Sequence, residues 1–363
     1  MKYWRGYLVA AIIAACTWGL ETFAETHSAL VDMVYPYATR MVQTYLAGWS
    51  GTVDFLVWQV LLIAFAVLVL ASVVLMVVLK WNPIQWFGWV LAVASVAVLL
   101  NTGIYGLNHY AGPISDDIRL EEADYTLSEL ESAAKYYRNQ ANKLAAQVAA
   151  KSSAQPTLAE LNEQAAEGFE VMKTEQFQSI FAGSTLPVKE LGFANYFTKQ
   201  GVDSVHIGAT GEAAVNMELP APAQPFVICQ LMAKRMCIAK EADSAFAAFL
   251  ASRSNSSPEF QYAAYLMAYR ACCATLEAAD QATGGNVANQ VRSGAESKLA
   301  LDDAALDSFY KEQDPKVTEE MSKLLVSLYI QEEVLPLLKE EEVLFDPLDE
   351  TQVDLSGIVN AGK

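Results

Sequence analysis

The sequence predicts a mostly α protein with a small β hairpin or sheet, in which three transmembrane helices precede one acidic, water-facing domain. Three observations carry that prediction. Of 363 residues, 53% are hydrophobic and only 18% are charged, too apolar a mixture for two ordinary soluble domains. The net charge of −18 is uneven: residues 1–107 hold four basic and four acidic residues, so all of it lies in residues 108–363. Two uncharged runs, residues 55–79 and 84–107, can each cross the roughly 30 Å hydrocarbon layer at about 1.5 Å of rise per residue. The expected division is a membrane domain over residues 1–110 and a second domain over residues 111–363.

Lys80-Trp81-Asn82-Pro83 joins the two runs into a helical hairpin, and Trp81, Trp86 and Trp89 suit an interfacial anchor. The first apolar stretch, residues 7–20, leaves alternatives open: a short first span over about residues 7–23, or the core of a signal peptide. Ile13-Ala14-Ala15-Cys16 is also similar to the bacterial lipoprotein signal, with Cys16 as the lipidated residue. Lys2, Arg5 and Lys80 place the N-terminus and the hairpin turn in the cytoplasm by the positive-inside rule, and every alternative exports residues 111–363. The expected location is the bacterial plasma membrane, with lipid as a partner. An acidic exported domain repels nucleic acid, which excludes that partner class. Three spans with Asn101 as the main polar residue inside the hairpin make a poor solute path.

Beyond the membrane, apolar residues recur at three- and four-residue spacing from Leu127 to Val148, predicting an amphipathic helix over residues 126–150. Residues 151–156 are a polar break, and a helical pattern resumes at Leu158. Residues 202–207 and 213–216 read as short strands joined by Gly208 to Gly211. Pro225 suits the first turn of a helix that runs to about residue 250. Ser257, Pro258 and Glu259 mark the next start, with an apolar run through Leu276. Residues 302–345 are helical and acidic, and Glu340-Glu341-Glu342 suits a solvated face.

The order of these pieces resembles a bacterial membrane family, domain of unknown function 3810. The resemblance rests on Val34-Tyr35-Pro36, on Gly106-Leu107-Asn108-His109-Tyr110 continuing to Tyr125-Thr126, and on the segment Thr210 to Asn216 leading to Ile228-Cys229. The tyrosine-rich run Phe260 to Ala268 extends it, and the match fades beyond about residue 280. Family resemblance implies an extracytoplasmic zincin-like α+β domain, with H-E-x-x-H following the Ile-Cys pair and acidic residues about a dozen positions on. In that motif two histidines four apart and a downstream carboxylate hold zinc, and the glutamate is the general base.

Here the matching positions read Gln230-Leu231-Met232-Ala233-Lys234, with Glu241 and Asp243 downstream. Zinc is expected for the family, but its ligands are absent, so no cofactor is expected. Gln230 is a weak neutral ligand, Leu231 accepts no proton, and Lys234 sets a cation where a dication belongs. One expectation follows: the Lys234 ammonium occupies the metal position and pairs with Glu241 or Asp243, against the bland alternative that it faces solvent. The remaining histidines, His27, His109 and His206, supply no second motif. Cys229, Cys237, Cys272 and Cys273 are expected as small core residues, with a Cys237–Cys272 bridge as the alternative.

The function expected is a membrane-anchored, catalytically inactive metallopeptidase-like protein that binds an envelope peptide or protein, or acts as a scaffold through its acidic C-terminal helices. By analogy with zincin clefts, Thr210, Gly211, Glu212, Ala213, Ala214, Val215 and Asn216 would form the exposed strand edge that receives the peptide. The rival is a membrane-bound hydrolase built on Glu212, Asp243 and Glu241, which lacks a nucleophile or metal.

Overall fold

A computed structural model describes residues 4–150, 155–173, 180–311 and 314–336. Among the described residues, three helices are long and apolar enough to cross a membrane: α1 (Arg5–Thr26), α3 (Val57–Val78) and α4 (Pro83–Ile104). They coincide with the predicted spans, and the first apolar stretch is a continuous helix with Cys16 exposed along it. Small residues let α1 and α4 approach closely. Gly6 and Ala10 on α1 and Gly88 and Ala92 on α4 are buried at four-residue spacing, and a Cβ at Gly6 would collide with the Gly88 backbone. Since Gly6 meets Gly88 while Glu21 meets Thr102, these two helices are parallel. The turn after α3 brings Lys80 back to the end where α1 begins, and residues from 105 onward emerge at the opposite end.

Between α1 and α3 runs a helix the sequence pattern did not announce, α2 (Ser28–Ser50), which packs under the C-terminal domain. A 3-10 turn at Gly106–Tyr110 and α5 (Ile114–Ile118) then lead away from the membrane. The domain core is α-helical: α6 (Leu127–Ala150), α7 (Leu158–Met172), α9 (Gln224–Arg235), α10 (Glu241–Arg253), α11 (Pro258–Thr283) and α14 (Pro315–Tyr329). The short helices α8 (Ala194–Lys199) and α12 (Val287–Arg292), with α13 (Ser297–Phe309), complete it. The predicted stripe on α6 is buried at Leu130, Ala134, Tyr137, Ala141 and Leu144. Thr157 and Glu160 form a reciprocal capping box at the start of α7. Within the acidic C-terminal stretch, α14 buries Met321, Leu324, Leu325 and Val326 in the main core. Glu340 to Glu342 lie outside the described residues.

The predicted hairpin forms as β2 (Ser204–Ile207) and β3 (Glu212–Val215), antiparallel, with Val205 opposite Ala214 and His206 opposite Ala213. A two-residue strand, β1 (Lys189–Glu190), pairs parallel with Ala214 and Val215 on the other side. The order β1-β3-β2 makes β3 central, and all four of its residues are buried. Ala214 and Val215 are thus paired on both sides, and Thr210, Gly211, Glu212, Ala213, Ala214, Val215 and Asn216 are all buried, where an exposed strand edge was expected.

A single helix over residues 225–250 is also corrected. It breaks at Cys237, whose φ of 68° is left-handed. The Cys237 N–H donates to the Lys234 carbonyl and the Ile238 N–H to the Ala233 carbonyl. This is the paired closure that ends helices, formed here without the usual glycine. The chain turns back, and α10 packs against α9.

Candidate binding site

Gln230 and Lys234, four apart on α9, project from one face of the helix. The turn at Cys237 returns Glu241, in the first turn of α10, to that face. The Gln230 Nε2 donates to Glu241 Oε1 at 2.7 Å and lies 3.3 Å from Ser244 Oγ. The Lys234 Nζ stands 2.8 Å from Glu241 Oε2 and 3.0 Å from Oε1. Lys234 thus pairs with Glu241, as one branch of the sequence expectation held. Its side chain is 17% exposed, whereas that of Glu241 is 50% exposed, so the pair sits at the protein surface and is screened by solvent.

Asp243 is not part of this group. It is buried on the opposite side of α10, accepts the Ile114 N–H, and faces Asp32, Arg40, Asn108, Asp117 and Lys240 at the membrane exit. Burial raises its carboxyl to about pKa 6 against partial relief from Lys240. Leu231 is 1% exposed and belongs to the apolar core.

The cleft in front of Gln230 and Glu241 has a volume of about 320 Å³. Phe226, Met267, Val317 and Met321 make its apolar floor, and Asp203, Arg270 and Tyr310 add polar groups. Tyr310 Oη donates to Asp203 Oδ2 at 2.7 Å, and Arg270 is held by Asp303 and Asp307. Sequence spacing gave no sign of this lining, because it gathers residues from five separated segments.

His206, on β2, lies behind α9 rather than in the cleft. Its ring packs on Tyr105 with centroids 4.5 Å apart, and its Nε2 is buried without a partner among the described residues. Burial, reinforced by Arg235 and Lys234, pushes its pKa down to about 3, so it is neutral at working pH. Tyr105 itself donates to the Lys234 carbonyl at 3.1 Å, tying the end of the third span to the end of α9. His27 and His109 make local bonds, the first with Thr26 Oγ1 and the Phe23 carbonyl and the second with the Gly106 carbonyl.

Glu212 has a different task from the two expected of it. Its carboxylate oxygens accept the N–H groups of Val57 and Trp58, each at 2.8 Å, and so cap the start of α3. Lys189 Nζ binds Glu212 Oε1 at 2.8 Å and also the carbonyls of Ser50 and Phe55. The pair fastens the sheet to the membrane helices.

All five cysteines are free, and Cys229, Cys237, Cys272 and Cys273 are buried. The bridge between Cys237 and Cys272 does not form: Cys237 accepts from Thr39 Oγ1, and burial raises the thiol pKa of Cys272 beside Ser322. Among the described residues, no three His, Cys, Asp or Glu side chains are placed to share a metal ion. The donors at Gln230, Lys234 and Glu241 do not fit zinc, since an ammonium cannot ligate it while protonated and the amide is a weak ligand.

No curated protein and no solved structure matches the chain. A family model described as "Protein of unknown function (DUF3810)" matches residues 31–332, which include most of α2, the spans α3 and α4, the sheet and the α9–α10 site. A match over most of the chain settles membership: the protein belongs to the DUF3810 family of proteins of unknown function.

Proposed function

We propose that this protein is a membrane-anchored, catalytically inactive relative of zinc metallopeptidases. In this reading the exported domain binds an envelope peptide or protein in the cleft between α9, α10, α11 and α14. One observation carries it: two side chains four apart on α9 and a carboxylate from α10 converge on one point, the arrangement that holds zinc in H-E-x-x-H enzymes, and an ammonium stands there instead. Lys234 keeps Glu241 compensated in place of the metal. The hydrolase alternative loses support, since Glu212 is committed to α3 and Asp243 faces away from Glu241. The grouping of Lys80 with the start of α1, opposite the domain, supports a cytoplasmic N-terminus and an extracytoplasmic domain in a bacterial plasma membrane.

The test is zinc stoichiometry by plasma mass spectrometry on the purified full chain and on the Gln230→His/Leu231→Glu/Lys234→His variant. The expected result is less than about 0.1 zinc per native chain and close to one per variant chain. A native chain that retains about one zinc, or a folded variant that retains none, would overturn the reading.

A further inference from the structure

We propose that α2 lies in the plane of the membrane, its outer face sunk among the lipids at the domain side of the bilayer, and that it seats the domain on that surface. Both ends of α2 are held on the same side. It begins where α1 ends and finishes where Lys189 and Glu212 fasten the start of α3. Along its length the inner face is bound to the domain and the membrane exit. Asp32 accepts the Gly112 N–H, Tyr35 Oη reaches the Thr102 and Gly103 carbonyls, and Thr39 donates to Asn108. Arg40 Nε donates to the Met236 carbonyl and Gln43 to that of Gly208. A spanning helix could not make these contacts from its first turns to its last.

The outer face has the opposite chemistry. Leu30, Met33, Val34, Tyr37, Met41, Val42, Tyr45 and Trp49 recur at three- and four-residue spacing, and each is 41–75% exposed. Asp32 and Arg40 are the only charged residues in α2, and both are engaged on the inner side. An ordinary surface helix turns its apolar face inward; α2 does the reverse. Its outer face is directed away from the domain, between the ends of two spans, where the bilayer boundary lies. Tyr37, Tyr45 and Trp49 suit that depth, with apolar rings among acyl chains and polar atoms near the headgroups. With no charge on this face, seating depends on apolar burial and not on anionic lipid.

The experiment uses the full chain with Cys16→Ser, reconstituted in phosphatidylcholine vesicles. Nitroxides are placed singly at Met33→Cys, Met41→Cys, Tyr45→Cys and Trp49→Cys, with Val67→Cys in α3 as the lipid reference and Ser132→Cys on α6 as the water reference. Relaxation by oxygen against a water-soluble nickel complex gives depth. The expected result is oxygen-dominated relaxation at all four positions, at depths equal within a few ångströms, unchanged when anionic lipid is added. A helix crossing the bilayer would separate Met33 from Trp49 in depth by about 24 Å, given about 1.5 Å per residue, and would overturn the proposal. So would nickel-dominated relaxation matching Ser132→Cys. Spin–spin broadening that disappears on dilution with unlabelled chain would also overturn it, by showing that a second copy covers the face.

Discussion

Glu212→Gln is the substitution whose consequence the structure sets most sharply. The Glu212 side chain is fully buried and that of Lys189 is 14% exposed, so solvent cannot compensate whichever charge remains. Removing one partner of a buried ion pair costs about 3–5 kcal/mol, because the other is left charged in a poorly polarisable site. The glutamine can still accept one of the two helix N–H groups but turns a second donor toward the other. At roughly 2–4 °C per kcal/mol for a domain of this size, the expected drop in Tm is on the order of 10 °C. Thermal unfolding of the full chain in detergent, followed by circular dichroism, measures it. Lys189→Met alone should cost a similar amount. The double variant should cost about 2 kcal/mol less than the sum, since it removes both charges and leaves an apolar stem in the lysine's place. A change in Tm below about 2 °C for Glu212→Gln, or strictly additive losses, would refute the assignment of this pair as the fastening between sheet and membrane helices.

Three further outcomes follow. Asp243 has a folded pKa raised from 3.8 to about 6, so the folded state favours its protonated form, and its contribution is fully present below the unfolded value and lost as pH rises through 6. Asp243→Asn should therefore gain up to about 3 kcal/mol on the wild type between pH 4 and 7.5. Because His206, with its lowered pKa, titrates with the opposite sign over part of this window, the variant-minus-wild-type difference in melting curves is the quantity to read. A flat difference would contradict the burial of Asp243. Titration with a water-soluble thiol reagent should leave the four buried cysteines unreacted in the native chain, with Cys16 shielded within its span, and find five thiols in denaturant without reductant; fewer than five would indicate a disulfide. Gly6→Leu should destabilise the full chain by about 1–3 kcal/mol in melting experiments, because the side chain must part α1 from α4. Gly19→Leu, in open space on the same helix, should be neutral, and equal effects at both positions would count against the close α1–α4 contact.

The spans, the α6 stripe and the β2–β3 hairpin were legible in the sequence because each depends on short-range information: an uncharged run, a helical period, a glycine turn. So were Gln230, Lys234 and Glu241 as a group, through the family resemblance, although not the way they meet. Their meeting depends on the left-handed turn at Cys237, which lacks the glycine that usually announces such a stop and takes its support from Thr39 of a distant helix. Tertiary structure alone decided the rest. A two-residue strand at Lys189 carries no local signal, yet it turns β3 from an edge into a central strand and Glu212 from a candidate binding residue into a helix cap. In α2, Thr39 and Gln43 are inside because backbone carbonyls and Asn108 wait for them there, while Met41 and Tyr45 face outward. A sequence records which residues are polar, but which solvent each face of a helix meets is fixed only when the domain and the spans are assembled around it.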